Sequence, residues 1–233
     1  MPTYEYPREE FLAPSDTLSG YDRWAASYDH ETNPVIAATS WVLDHAPLGC
    51  ADAEVVELGC GTGRNIPRVL GEGARSYVGV DGSYGMLNMA SANVIDQRAS
   101  FVAADLLAPW KPPKQFDFGI VVLVLEHLPT LDVFFESLAR AMKPGGRVRL
   151  VDLHPERIVS GSFAHFREGV TEVRFASVAH PVGAICAALD GAGFDVVRRD
   201  WLAADAIVGA VPSLAKHRGQ KLLIDLKATR RGR

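Results

Sequence analysis

The stretch Val55-Val56-Glu57-Leu58-Gly59-Cys60-Gly61-Thr62-Gly63 restricts the possible folds of this chain more than any other. A short apolar run ends in three alternating glycines, and a helical pattern follows at once. The pattern predicts a buried parallel strand, a tight turn, and a helix whose N-terminus points into a crevice. Glycine accepts positive φ, and without a Cβ it lets a ligand approach the backbone. The free N–H groups and the dipole of the helix favour an anionic ligand group there.

The rest of the chain repeats this rhythm. Strands are expected at 54–58, 76–80, 100–103, 116–123 and 147–153, with helices at 63–70, 84–95 and 131–142 between them. Such alternation predicts an α/β fold with a parallel sheet. A helix at 181–192 and strands at 194–198 and 221–226 complete it. Ahead of the repeat, residues 1–15 carry Pro2, Pro7 and Pro14 and read as an irregular arm. A helix over about 16–29 sets Tyr21, Trp24 and Tyr28 on one face. That face either packs on the core or covers the crevice with a phenol OH reaching a polar ligand group. A second helix is expected at 35–45. After the fifth strand the rhythm breaks: 154–180 is longer than an ordinary connection, and such insertions are usually lids or binding segments. The closing Arg230-Arg231-Gly232-Arg233 reads as a solvated tail.

Composition narrows the function classes. At 233 residues and 48% hydrophobic content, the chain suits one domain with a sizeable core. A formal charge of −4 disfavours nucleic acid as the main partner. No apolar run approaches the roughly 18 residues needed to span a membrane, and residues 1–6 lack the order of a signal peptide. Cys50, Cys60 and Cys186 are scattered and odd in number, so a reducing cytoplasm is the expected compartment. No histidine pair at i, i+4 and no close cysteine pair suggests a metal site.

The glycine pattern is G-x-G-x-G, with Arg64 where a dinucleotide fingerprint needs its third glycine. No Gly-Lys-Ser/Thr follows, so the phosphate readings weaken. Asp81 ends the second strand about 20 residues beyond the turn, where a carboxylate takes both ribose hydroxyls. Asp105 follows the third strand, within reach of an adenine amine, and Glu57 precedes the turn, where a carboxylate can hold an ammonium group. Either aspartate alone equally suits a helix or turn cap. Together they favour a ligand with an adenosine, an amine and a carboxylate but no phosphate.

Residues 54–153 resemble a class I S-adenosylmethionine (SAM)-dependent methyltransferase of the small-molecule, type 11-like branch. The resemblance rests on Val56-Glu57-Leu58-Gly59-Cys60-Gly61-Thr62-Gly63, Val78-Gly79-Val80-Asp81-Gly82-Ser83-Tyr84-Gly85-Met86-Leu87, Ala103-Ala104-Asp105-Leu106, Phe116-Asp117-Phe118, Leu125-Glu126-His127-Leu128 and Leu138-Ala139-Arg140-Ala141-Met142-Lys143-Pro144-Gly145-Gly146. The segment Tyr21–Asp29 is similar to the N-terminal helix that covers SAM in that branch. The resemblance implies a doubly wound, mostly parallel, Rossmann-like sheet of seven strands, the last antiparallel, with an N-terminal helical cap. The cap would span 1–50, and the SAM-binding domain 51–233, with a substrate-side insertion at 154–180. Gly59, Gly61 and Gly63 would line the methionine moiety and ribose, and Asp81 would bind the ribose hydroxyls. Gly82 and Met86 would flank the adenine, with Ala104, Asp105 and Leu106 on its edge. Leu123 would offer backbone contact to the amine, supported by Glu57, while Tyr21 and Tyr28 close over the methionine end. Arg64 either pairs with the ligand carboxylate or lies on an exposed helix surface.

A phenol, carboxyl or amine acceptor can need a base, and histidine near neutral pH is the natural choice. His127 and His154 follow strands four and five at the ligand edge, while His165 and His180 lie in or beside the insertion. Each can also be read as a packing or surface histidine. The expected reaction is methyl transfer to O or N of a small molecule, of natural-product type, by a monomer or homodimer. The alternatives are a SAM-binding enzyme that catalyses a non-methylating reaction such as a cyclisation, and an NAD-dependent oxidoreductase.

Overall fold

A computed structural model gives the fold and describes residues 8–30 and 33–232. The expectation for residues 1–7 lies outside the described residues. The chain begins with strand β1 (Arg8–Leu12), then helix α1 (Thr17–Trp24) and helix α2 (Pro34–His45). The repeating part follows as β2 (Glu54–Leu58), α3 (Ile66–Gly71), β3 (Ser76–Asp81), α4 (Tyr84–Asn93), β4 (Ala99–Ala103), β5 (Phe116–Val122), α5 (Asp132–Ala141) and β6 (Met142–Leu153). A short helix α6 (Pro155–Val159), a hairpin β7 (His165–Glu168) and β8 (Thr171–Phe175), helix α7 (Val182–Gly191), β9 (Phe194–Ala203) and β10 (Lys221–Arg230) complete it.

Seven strands form one sheet in the order β4-β3-β2-β5-β6-β10-β9. β2 pairs in parallel with both β3 and β5, and β10 is antiparallel to both β6 and β9. β5 is a nearly continuous apolar run and β2 is buried from Val55 to Leu58, Glu57 included, because both faces of each strand are covered. One sheet face packs α5 and α7 through Phe134, Leu138, Ile185 and Leu189. The other packs α2, α3 and α4 through Leu43, Val69 and Leu87. Among the described residues, no helix is long and apolar enough to cross a membrane.

Local chemistry sets the boundaries. Asn33 caps α2 by accepting from Val35 N, and Ser83 caps α4 by accepting from Met86 N. Helix α3 starts at Ile66 rather than at 63, because the glycine turn continues through Asn65, with Gly63 at φ +80°. The helix expected over 16–29 ends at Trp24 and gives way to turns. β6 begins at Met142 rather than at 147, so the Lys-Pro-Gly-Gly stop of α5 already belongs to the sheet.

Two expectations are corrected at the edges, and the insertion gains detail. Part of the irregular arm is a strand: β1 pairs in parallel with β8, which pairs with β7 to make a separate three-stranded sheet. The insertion at 154–180 is therefore hairpin as well as loop. The basic tail is not simply solvated either. Arg230 ends β10 and donates to Gly193 O at 2.8 Å, and Arg231 pairs with Asp190 at 2.7 Å and Asp195 at 3.1 Å.

The largest fully buried side chain in the sheet is Arg149 on β6, only 1% exposed. Its Nε and Nη2 donate to the two carboxylate oxygens of Asp225 on β10 at 3.1 and 2.8 Å, and it also donates to the carbonyls of Ala46 and Val42 at the end of α2. The pair ties α2 to the sheet, and removing one partner strands a buried charge. Asp225→Leu is expected to lower the unfolding free energy by about 3–5 kcal/mol, with most of it recovered in the Arg149→Met/Asp225→Leu double variant. Urea titration followed by circular dichroism measures both.

Candidate active site

The crevice lies at the carboxyl ends of β2, β3, β4 and β5, where open α/β sheets bind ligands. It is a cavity of about 250 Å³ whose floor is Gly59, Cys60 and Gly61. Gly59 and Gly61 have φ of +77° and +53°. A Cβ on Gly61 would meet no protein atom within 4 Å and would project into space that a ligand can use, whereas one on Gly59 would strike Val124. Tyr21, Tyr28, Glu57, Asp81, Gly82, Met86, Asp105, Leu106 and Leu123 also line this cavity. Gly63 and Ala104 do not. Gly63 turns the chain against Ile66, and Ala104 donates its N–H to Asp81 O at 2.9 Å.

Asp81 joins the floor to the wall. Its carboxylate accepts from Gly61 N at 2.8 Å and Ser83 N at 2.9 Å, and burial raises its pKa against those bonds. Asp105 accepts from Leu107 N at 2.8 Å and so caps its own turn while lining the cavity. Each aspartate thus bonds the backbone of its own turn while also lining the cavity. Glu57 is deeply buried, and its two oxygens accept from Asn65 Nδ2 and Tyr77 OH. Burial raises its pKa to about 7.

Leu123 follows β5 with φ of +57°, an uncommon conformation for a side chain of its size. Asp152 on β6 fixes the turn beyond it, accepting from Val124 N and Leu125 N at 2.9 Å each. Burial raises the Asp152 pKa to about 6. Helix α1 roofs the crevice. Asp22 accepts from Ser83 Oγ and Gly85 N, both at 2.7 Å, and Leu18 lies where a Cβ on Gly82 would stand. Arg64 lies on the cavity wall with its guanidinium over the Tyr28 ring, 5.7 Å from its centroid.

The four histidines part company. His127 lines the crevice, where its Nε2 shares a hydrogen bond of 2.8 Å with Tyr21 OH; its Nδ1 is buried without a partner. Burial lowers its pKa to about 4, so the ring is neutral. His165 lines a second cavity. His154 caps α6 by accepting from Glu156 N, and His180 bonds the carbonyl of Leu128 through Nε2 at 2.7 Å. Neither lines the crevice or the second cavity, because each is occupied in holding local backbone.

The second cavity, also about 250 Å³, shares Tyr21, Tyr28 and Leu123 with the first. Its other walls come from α2, from the start of β7 and from the segment before β10. Glu126 opens onto it, accepting from Ser177 Oγ at 2.8 Å. Burial raises the Glu126 pKa to about 7. Sequence reasoning missed these walls, since only folding brings 33–38 beside 214–223. The signal for Glu126 was its place after an apolar strand.

A buried carboxyl with a raised pKa has a definite effect on stability. The unfolded side chain ionises near its usual 4.5, while folded Glu126 ionises near 7. Stability therefore falls as pH rises from about 4.5 to about 7 and levels above that. Glu57 acts in the same direction. Glu126→Gln should remove on the order of 3 kcal/mol of this fall. Urea titrations of the ligand-free protein at pH 4.5 and pH 7.5 test it, and an unchanged difference would refute the burial argument.

The chain resembles known proteins over most of its length. Residues 56–150 match a family described as a methyltransferase domain. An uncharacterized methyltransferase of Emericella nidulans is 31% identical over 221 residues, covering 78% of this chain and 77% of that protein. The ubiquinone biosynthesis O-methyltransferase of Ralstonia nicotianae is 31% identical over 129 residues, and the match spans about half of each chain. A solved SAM-dependent methyltransferase from Mesorhizobium loti superposes with a TM-score of 0.69 over 83% of this chain and 98% of its own, at 22% identity. The [4+2]-cyclase SpnF superposes at 0.66 over 96% and 99%, at 16% identity. At such identities these two structures speak to the fold alone. The relative in Emericella and the domain match set the family: the chain belongs to the class I SAM-dependent methyltransferases, with S-adenosylmethionine as its cofactor.

Proposed function

We propose that the chain methylates an oxygen or nitrogen of a small-molecule acceptor, of natural-product type, seated in the second cavity. The observation that carries this reading is the shared boundary: Tyr21, Tyr28 and Leu123 line both cavities, so a ligand in each would meet across them. When bound, SAM supplies a methyl carbon on a positively charged sulfur, which an acceptor lone pair displaces to leave S-adenosylhomocysteine.

The residues of the chain divide the remaining work. Asp81 accepts from the ribose hydroxyls, Asp105 accepts from the adenine amine, and Gly59 and Gly61 let the ligand lie against the backbone. Arg64 pairs with the ligand carboxylate. Helix α1, fixed by Asp22, shuts water out of the junction. Glu126 takes the acceptor proton. Its pKa of about 7 suits a general base near neutral pH, and it lines the acceptor cavity. His127 supports Tyr21 rather than acting as the base, since Tyr21 covers one ring nitrogen and burial covers the other.

Incubation with methyl-labelled SAM and a panel of small phenols, amines and carboxylic acids tests the reaction. S-adenosylhomocysteine should form in proportion to labelled product. An altered acceptor with SAM left intact would instead favour a non-methylating reaction. Asp81→Asn should weaken S-adenosylhomocysteine binding by roughly tenfold or more in calorimetric titration, the value of a charge-assisted hydrogen bond. Glu126→Gln should lower kcat on the order of 10²-fold while leaving that binding unchanged.

A further inference from the structure

The ionisable lining of the second cavity is lopsided. Two cations, Arg157 and Lys216, line it against a single acid, Glu126, while burial and the neighbouring Arg157 lower the pKa of His217 and keep its ring neutral. Arg157 and Lys216 make no ion pair among the described residues. The nearest acidic neighbour along the helix, Glu156, is engaged by Lys221 at 2.8 Å. Arg157 Nη1 donates to Gln220 Oε1 at 2.6 Å and lies 3.3 Å from His217 Nδ1, which fixes one side of the guanidinium. On the other side, Nε is buried without a hydrogen-bond partner, and no bond to Nη2 is formed within the described residues. That Nε/Nη2 edge is the one that receives a carboxylate in a bidentate manner.

Position within the cavity matters as much as charge. Arg157 and Lys216 line only the second cavity, with Arg157 part-exposed and Lys216 exposed, so the cationic side faces away from the cofactor crevice and toward solvent. Toward the cofactor crevice the wall is Tyr21, Tyr28 and Leu123, with Trp24, Val35 and Ile36 along the way. An anion held on the cationic side keeps part of its hydration, whereas one drawn to the apolar wall would lose it. We propose that the acceptor is a small carboxylic acid whose carboxylate is held by Arg157, with Lys216 adding charge, while its apolar body carries the nucleophilic atom inward to the Tyr21–Leu123 junction. Arg157 is then a specificity-determining residue. The assignment rests on the second cavity being the acceptor site, as proposed above.

The test reads binding and does not require turnover. Matched pairs of aryl carboxylates and their primary amides, such as 4-hydroxybenzoate and 4-hydroxybenzamide, are titrated by ligand-observed NMR against protein saturated with S-adenosylhomocysteine. Acids should bind at least tenfold more tightly than their amides. Arg157→Gln should abolish that preference, and Arg157→Lys should retain part of it. Amide binding and S-adenosylhomocysteine affinity should stay within twofold of wild type in both variants, which shows that the fold is intact. Equal binding of acids and amides, a preference that survives Arg157→Gln, or no binding of any acid would each overturn the proposal. Failure of the cofactor reading looks different, because the protein would then not take up S-adenosylhomocysteine at all.

Discussion

Buried carboxyl groups at one edge of the sheet hold the crevice in shape. Glu57, Asp81, Glu126 and Asp152 sit near the carboxyl ends of β2, β3, β5 and β6, each with its pKa raised chiefly by burial. Removing a carboxyl from water is tolerable only where donors replace the water, so each draws in its surroundings. Asp81 draws in the glycine turn, Asp152 the turn after β5, Glu57 the start of α3, and Glu126 the insertion through Ser177. Backbone N–H groups that would otherwise point at solvent thus become fixed parts of a floor. The electrostatic cost is concentrated where a cationic ligand would relieve it.

Much of this is legible in the sequence. Val55, Val56 and Leu58 with the alternating glycines mark the strand 54–58, because a strand covered on both faces is mostly apolar, and Glu57 is buried in it only with Asn65 and Tyr77 as donors. Asp81 and Asp105 were placed at the crevice by the strand rhythm alone. What escaped was whatever depends on segments distant in sequence. No local pattern says that Arg8–Leu12 pairs with Thr171–Phe175, since parallel pairing between such remote strands leaves no turn signal between them. The same holds for the second cavity, assembled from α2, the insertion and the approach to β10.

The histidines illustrate a different failure. Position after a strand brought His127 to the crevice, but the same rule carried His154 to a helix cap. Sequence position fixes where a backbone goes, while the side chain follows whichever hydrogen bond is nearest. An exposed glutamate at neutral pH is too weak a base to be singled out from sequence, whereas burial raises the Glu126 pKa to about 7, and burial is a property of the folded chain.

The parallel pairing of β1 with β8 joins the start of the chain to the insertion, with Leu12, Trp24, Phe166, Val173 and Phe175 as their common core. The two segments are therefore one exchangeable cassette rather than two independent decorations. Grafting the insertion of a relative onto this scaffold would leave β1 facing a foreign strand and Trp24 facing foreign rings. A chimaera that carries residues 8–30 together with 154–180 keeps that core whole. Substitutions that preserve this core would then come in pairs, at two places distant in the sequence.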